Sequence, residues 1–368
     1  TCWPRPDAAG RTATDNHART MAEIDRYRSE DRRQVDALYR RVFGPDAAEA
    51  NRLRWEWQYR LNPHMPADGP LIWLAREGTT IVGQYATMPV RLSLSGREID
   101  ASWGMDVMVA PERQRQGLGD KLFRTWDRHT GASLGLGLSD ASYRLFQKMG
   151  WPNVGPVPCF VKPLSRRALR RPTWPVGLNR FVSYITLPWV RLVARPRPLQ
   201  GEVRPIHSFD DSFTRLWERL SGRFAFAVRR DAAYLNWKYI QAPHVRYNIA
   251  ALVRDDGEAA GYVVYRHAQE PRGRVTLLVD FLADPDDTAG IVTLLRWVDR
   301  EARAADTDKI RTFATHDAFK RLLRKSGYYS VKSTMELVAK VNGADVTPAF
   351  YETPANWHVT LGDSDQDR

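Results

Sequence analysis

Apolar residues first recur at helical spacing in EDRRQVDALYRRVFG (30–44), where Val35, Leu38, Tyr39, Val42 and Phe43 share one face. Ser29 offers an N-cap to that helix and Gly44 a stop. Residues 71–88 read as a strand, a polar turn and a second strand entered through Val82-Gly83, which predicts a hairpin. SWGMDVMVA (102–110) continues as a strand, and a helix follows to about Arg128. SLGLGLS (133–139) alternates Leu134, Leu136 and Leu138 as a further strand, and a helix from Asp140 to Lys148 ends at Gly150.

The same succession returns from about 203 to 340. Trp57-Gln-Tyr-Arg-Leu-Asn-Pro63 is matched by Trp237-Lys-Tyr-Ile-Gln-Ala-Pro243, and the hairpin at 72–85 by one at 249–265. Asp106-Val-Met-Val-Ala-Pro111 is matched by Asp280-Phe-Leu-Ala-Asp-Pro285, and SDASYRLFQKMGW (139–151) by HDAFKRLLRKSGY (316–328). Matches in one order at similar separations indicate a tandem duplication. The expected fold class is α/β (α+β): two tandem domains, each a mixed, mostly antiparallel twisted sheet flanked by helices. The expected boundaries are a polar tail (1–20), a first domain (21–162), a basic, aromatic linker (163–202), a second domain (203–341) and a C-terminal extension (342–368).

Composition narrows the class without setting it. The chain has 368 residues, 43% hydrophobic and 27% charged, as expected of a globular protein with room for two domains. Two cysteines, Cys2 and Cys159, imply no disulfide framework and suit a reducing compartment. No run is long and apolar enough to span a bilayer, so a cytoplasmic location is expected. The net charge of +12 raises a nucleic-acid partner. Much of it falls between 162 and 200, where Lys162, Arg166, Arg167, Arg170, Arg171, Arg180, Arg191, Arg195 and Arg197 occur with no carboxylate. That argues against nucleic acid. Within this segment FVSYITLPWVRLV (181–193) either packs between the domains or rests on an anionic membrane face.

Candidate chemistry sits at VAPERQRQGLGDKLF (109–123), where glycines open a helix after a strand. A helix N-terminus leaves N–H groups unpaired and favours anions, and glycines let a phosphate come close. Neither G-x-x-x-x-G-K-[ST] nor G-x-G-x-x-G is present, the latter failing at Leu122. In the second half Asp284, Asp286 and Asp287 stand near the corresponding turn, so no anion site is expected there.

Val109, Pro111, Gln114, Gly117 and Gly119 resemble the acyl-coenzyme A loop of the GNAT acetyltransferase superfamily. Ser139, Ser142, Leu145, Phe146, Lys148, Gly150 and Trp151 resemble its second stretch. The resemblance covers about 21–160 well and 203–340 more weakly. It implies transfer of an acyl group, most often acetyl, from acetyl-CoA or another acyl-CoA to an amine. It also implies pantetheine contacts from Val107, Met108 and Val109, and pyrophosphate contacts from Gln114, Arg115, Gln116, Gly117, Leu118, Gly119 and Asp120. Ser139 and Phe146 would complete the coenzyme site.

Two side chains are candidates for catalysis. Asp106 precedes the loop and could act as a base, although its repetition as Asp280 equally suits a structural role. Phe146 stands where many members of the family have an acidic Tyr. Tyr143, one turn away, could replace that Tyr as the acid. Trp55, Trp57 and Tyr59 suit a core or an acceptor pocket, and His129 a helix C-terminus. The histidines show no metal-ligand spacing, so no metal is expected. The acidic end, Asp363 to Asp367, reads as a disordered tail or as carboxylates offered to a cationic acceptor. The expected function is an N-acyltransferase acting on a small-molecule or glycan amine, such as an amino sugar or envelope precursor, as monomer or homodimer. A non-catalytic acyl-CoA sensor and an aminoacyl transferase of the peptidoglycan-bridge type are the alternatives.

Overall fold

The computed structural model of the protein describes residues 22–169, 201–333, 335–342, 346–365 and 367. The 181–193 stretch therefore lies outside the described residues. Among them, no helix is long and apolar enough to cross a membrane.

The amphipathic stretch forms helix α1 (Arg32–Phe43), burying Val35, Leu38 and Tyr39. Ser29 does not cap it; Ser29 begins a short 3-10 turn, Ser29–Asp31, that leads into α1. A second helix, α2 (Pro45–Tyr59), carries Trp55, Trp57 and Tyr59 and was not expected. Strands β1 (Glu23–Arg26), β2 (Ile72–Glu77), β3 (Thr80–Leu94) and β4 (Arg97–Val109) form an antiparallel meander, with β1 at the edge. Helix α3 (Leu118–Asp127), strand β5 (Ala132–Leu136), helix α4 (Asp140–Lys148) and strands β6 (Asn153–Pro156) and β7 (Cys159–Pro163) follow. His129 lies where expected, its Nδ1 2.6 Å from the Thr125 carbonyl at the end of α3.

The later residues repeat this order. They form β8 (Glu202–Pro205), helix α5 (Asp211–Leu220), a short strand β9 (Phe226–Val228), β10 (Asn248–Val253), β11 (Ala259–Glu270) and β12 (Gly273–Ala283). Helix α6 (Thr288–Ala304), β13 (Lys309–Phe313), helix α7 (Asp317–Lys325), β14 (Tyr329–Val331), β15 (Glu336–Val341) and β16 (Trp357–His358) complete it. Two mixed, mostly antiparallel sheets result, each with helices packed on it.

The sheets do not respect the expected boundaries. β7 leaves the first half to pair between β13 and β14, and β15 leaves the second to pair between β5 and β6. The exchange is reciprocal, so neither sheet is complete without the other half, and a cut at 162 or 203 severs a sheet. A second reciprocal contact lies between the matched tryptophans. Trp57 and Trp237 stack at 4.8 Å, and each indole N–H donates to the other's backbone carbonyl, at 2.7 and 2.8 Å. Such mutual contacts mark a local pseudo-twofold relation. Trp57 is therefore core, at the seam between the halves.

The C-terminal extension is not a loose tail. Residues 357–364 are buried, and Asp363 accepts from Arg230 at 2.8 Å, which also reaches Asp280 at 3.3 Å. Burial pushes the Asp363 carboxyl up while the Arg230 guanidinium opposes that shift. Replacing Arg230 by Met leaves two buried carboxylates uncompensated, and a loss of about 3–5 kcal/mol is expected in denaturant unfolding. His358 is also buried, stacked on Phe224 at 4.7 Å, with Nε2 3.1 Å from the Phe281 carbonyl. Its Nδ1 has no partner among the described residues, and burial drives its pKa well below 6.5. The unfolded chain then binds the proton first, so stability is full above about pH 6.5 and falls as pH drops below it. Thermal melts of His358→Phe should lose part of that acid slope.

Candidate active site

Parallel pairing of β4 with β5 covers only Ala101–Trp103 against Ala132–Leu134, after which the strands part. β4 runs on to Val109 with a partner on the β3 side, so a wedge opens between β4 and β5. The β3–β4 register shifts between Gln84 and Ala86, and Asp106 adopts φ 42, a left-handed conformation uncommon for a side chain other than glycine. This bulge breaks the strict alternation that would turn Asp106 away from its neighbours. Asp106 and Val107 both line a cavity of about 380 Å³ at the wedge, together with Tyr85, Gly104, Leu136, Ser139, Ser142 and Phe146.

Asp106 is fixed by neutral donors: Tyr59 Oη at 2.7 Å, Asn51 Nδ2 at 3.2 Å and Tyr39 Oη at 3.3 Å. Burial first, and then the Asp106 charge, raise the Tyr59 pKa well above 10, so Tyr59 remains a donor at physiological pH. Tyr59 thus comes from the predicted Trp-x-Tyr unit but supports the site directly. Its match Tyr239 donates to Asp280 at 2.9 Å, where Tyr262, Thr360 and the Arg230 guanidinium also converge. The two aspartates therefore share a scaffold but not a surrounding: Asp280 is locked in an ion pair, while Asp106 lies on a cavity wall.

The glycine loop has the form expected of an anion site. Gly117 is the N-cap of α3 at φ 79, with no side-chain cap, and the first helical donor paired inside the helix is Lys121, to the Gly117 carbonyl at 3.1 Å. The amides of Leu118, Gly119 and Asp120 ahead of it are left open. A Cβ on Gly117 would meet nothing within 4 Å, and one on Gly119 only Leu145 at 3.9 Å. Gly117 answers to its dihedral, but packing inside the protein does not require Gly119. Gln114 and Gln116 turn their side chains to the Val109 and Glu112 carbonyls, so any anion contact from them is through the backbone. Arg115 is exposed at φ 62, and Asp120 is paired with Lys148 at 2.7 Å. Met108 is buried on the opposite side of the strand from the wedge-lining Val107.

The second wedge differs at both ends. β12 and β13 pair over Val275–Leu277 and Lys309–Arg311 and then separate. The chain's own C-terminal segment enters there: Gly362 N donates to the Val279 carbonyl at 2.8 Å, and Thr315 holds Val359 N at 3.0 Å. The start of α6 is capped by Asp287, which accepts from Gly290 N at 2.8 Å. Repulsion by three carboxylates, the expected reason for a silent second copy, is the lesser part. Arg223 pairs with Asp284 and Asp286, and self-capping and self-filling close that wedge.

Tyr143 is not among the residues lining the cavity; its hydroxyl accepts from Asn153 Nδ2 at 2.6 Å. Ser139 and Ser142 take the cavity-facing positions of α4, with Ser139 as its N-cap. Tyr143→Phe should leave turnover unchanged in a steady-state assay. Phe146 packs edge-on against Phe123 at 4.7 Å and Trp151 at 4.8 Å, forming the cavity floor with Tyr85. Asp365 also lines this cavity, brought there by the buried C-terminal segment.

Residues 23–153 match the family described as an acetyltransferase (GNAT) domain, so this part of the chain is a GNAT domain. The whole fold is similar to a GCN5-related N-acetyltransferase from Anabaena variabilis, at 13% identity and TM-score 0.59, covering 87% of this chain and 72% of that one. A GCN5-related N-acetyltransferase from Kribbella flavida gives 16% and 0.58, over 89% and 72%. Saccharomyces cerevisiae N-myristoyltransferase with bound myristoyl-CoA gives 12% and 0.53, over 91% and 86%. At these identities the likeness is one of fold. No curated protein matches the chain. No group of residues suited to holding a metal occurs among the described residues.

Proposed function

We propose that the protein is an N-acyltransferase, acetyl-CoA its simplest donor, that carries the acyl group directly to a primary amine in the wedge between β4 and β5. The observation that carries this reading is the open, uncapped start of α3 at the mouth of a wedge that the matched half fills with its own chain. Amides of Gly117 to Asp120 would hold the pyrophosphate, with the dipole of α3 behind them. Backbone groups of Val107 and Val109 would hold the pantetheine arm and polarise the thioester carbonyl. Two oriented reactants gain up to ~7–11 kcal/mol over free encounter.

An alkyl ammonium, with a pKa near ~10, must lose a proton before its nitrogen attacks the carbonyl carbon. Asp106 and Asp365 are the carboxylates on the cavity wall and would draw in the ammonium and take that proton. Phe43, Ala47 and Leu138 give the same cavity an apolar side, which suits an amine carried on an apolar or ring-like body. The intermediate then gives up its second N–H proton as it collapses and expels the coenzyme thiolate, a tolerable leaving group, which takes up that proton to depart as the free thiol. An amino sugar or envelope precursor fits this class. Nucleic acid has no place in the proposal.

The floor favours a short acyl group. A Cβ on Gly104 would lie 2.5 Å from Tyr85 Oη and 3.0 Å from Trp126, and one on Gly135 3.1 Å from Phe146. Crowding of these two glycines by aromatic rings behind the cavity supports a short acyl group. Acetyl- and propionyl-CoA should release thiol with an amine panel, and octanoyl-CoA should be slower by about a hundredfold or more. Phe146→Ala should narrow that gap.

A second reading, a non-catalytic acyl-CoA binder, draws on Phe146 standing where a proton-donating hydroxyl would serve. Binding without thiol release over a broad amine panel would select it. The open α3 start argues against an aminoacyl-tRNA enzyme, which needs no coenzyme site.

A further inference from the structure

A second cavity lies away from the wedge. It measures about 560 Å³ and opens between the start of α1, helix α2 and the 65–70 loop. Its walls pair aromatic and basic side chains: Tyr27, Trp55 and Tyr59 with Arg32, Arg52 and Arg60. Only Glu56 among the lining residues is acidic.

These walls are built rather than incidental. The Arg32 guanidinium lies over the Trp55 ring at 3.7 Å, held by Asp36 at 2.9 Å. Trp55 packs against Tyr59 at 4.6 Å and Tyr27 at 5.6 Å. The loop rim is tied down by Arg26, which donates to the Gly69 and Pro70 carbonyls at 3.2 and 2.9 Å. Arg52 pairs with Glu49 and Arg60 with Glu56, but both arginines are more than half exposed. Exposed pairs are weak, and a guanidinium has five donors, so each keeps N–H groups for a ligand.

The second half shows that the fold does not need these residues. In the Trp57–Trp237 register, Arg52 corresponds to Ala232, Trp55 to Leu235 and Arg60 to Ile240. Tyr59 and Tyr239 alone are kept, and both support an aspartate. What distinguishes the first half is the combination of stacking surface and positive charge.

The geometry points to a second ligand site here, taking a planar ring that bears an anionic group, a phosphate or a carboxylate. The ring lies against Tyr27, beside the largely buried Trp55 whose face Arg32 covers, and the anion meets Arg32, Arg52 and Arg60. The volume is that of a small-ligand pocket. Tyr59 gives this site and the wedge a common wall, because its ring lines one and its hydroxyl holds Asp106 in the other. The site requires no coenzyme and does not rest on the acyltransfer reading.

The test is ¹⁹F NMR of the full chain labelled with 5-fluorotryptophan, without coenzyme A, with the Trp55 resonance assigned by Trp55→Phe. Phenyl phosphate, benzoate and inorganic phosphate are titrated separately. Saturable movement of the Trp55 resonance by phenyl phosphate or benzoate is expected, and the tighter of the two assigns the anion. Inorganic phosphate should bind at least roughly tenfold more weakly, since it cannot stack. Arg60→Gln and Arg32→Gln should each weaken the ring ligand by roughly tenfold, with Arg60→Gln leaving the melting temperature unchanged. No saturable shift with either ring ligand, or undiminished affinity in both variants, overturns the inference. Acetyl-CoA binding by the same variants is expected to persist, so failure here leaves the wedge reading standing.

Discussion

Gly117→Glu should remove acetyl-CoA binding, weakening it by at least about a hundredfold in calorimetry, with the fold retained. The side chain would enter open space, since nothing lies within 4 Å of a Cβ there, so no core contact is broken. Two effects add. A residue other than glycine at φ 79 carries strain of roughly 1–2 kcal/mol. A carboxylate is also set where the pyrophosphate would accept the open amides, and like charges at close range cost several kcal/mol. Gly117→Ala keeps the strain without the charge and should lose much less affinity. Near-equal losses in the two variants would assign the effect to the backbone alone.

Asp106→Asn should lower kcat/KM for the amine by about 10²–10⁴ while acetyl-CoA affinity holds. The substitution keeps the size of the side chain and an acceptor for Tyr59, but removes the charge proposed to draw in and deprotonate the ammonium. Stopped thiol release with an unchanged coenzyme isotherm is the expected pair of results. Asp280→Asn is the control. That aspartate sits in an ion pair with Arg230 at 3.3 Å, so the loss should fall on stability and not on the transfer step. If Asp106→Asn lowers the melting temperature and leaves kcat/KM unchanged, Asp106 is a structural residue like its counterpart.

Local periodicity foretold the elements that bury one face. α1, the β2–β3 hairpin, the α3 start and α4 were all legible because each packs on a single sheet. α2 was not, because it buries Asn51, Arg54, Trp55, Trp57, Gln58 and Tyr59 around much of its circumference, against its own sheet and the other half. No one-sided stripe can result from that. The exchange of β7 and β15 was illegible for a related reason: a strand's sequence shows that it is paired, not with which half. The order of the repeat predicted two like units, and their mutual completion appears only in the register.

The site divides in the same way. The glycine loop was readable because its residues are contiguous, and the second half lacks its glycines. The place of Asp106 on the cavity wall was not legible, since a bulge there overrides strand alternation. Tyr143 is not on the cavity wall; Ser142, one position before it, takes the place facing the cavity. The C-terminal segment looked like a tail because its partners are remote: Arg230 for Asp363, Lys238 for Ser364 and Arg266 for Asp367. Burial of so polar a segment depends on those cations.

On the proposed reading one wedge receives the acyl donor, while the other is filled by the chain itself. Titration calorimetry of the unmodified protein with acetyl-CoA measures this directly. A single site per chain, absent in Gly117→Glu, is the predicted result. Two equivalent sites, no binding, or one site untouched by Gly117→Glu would contradict it.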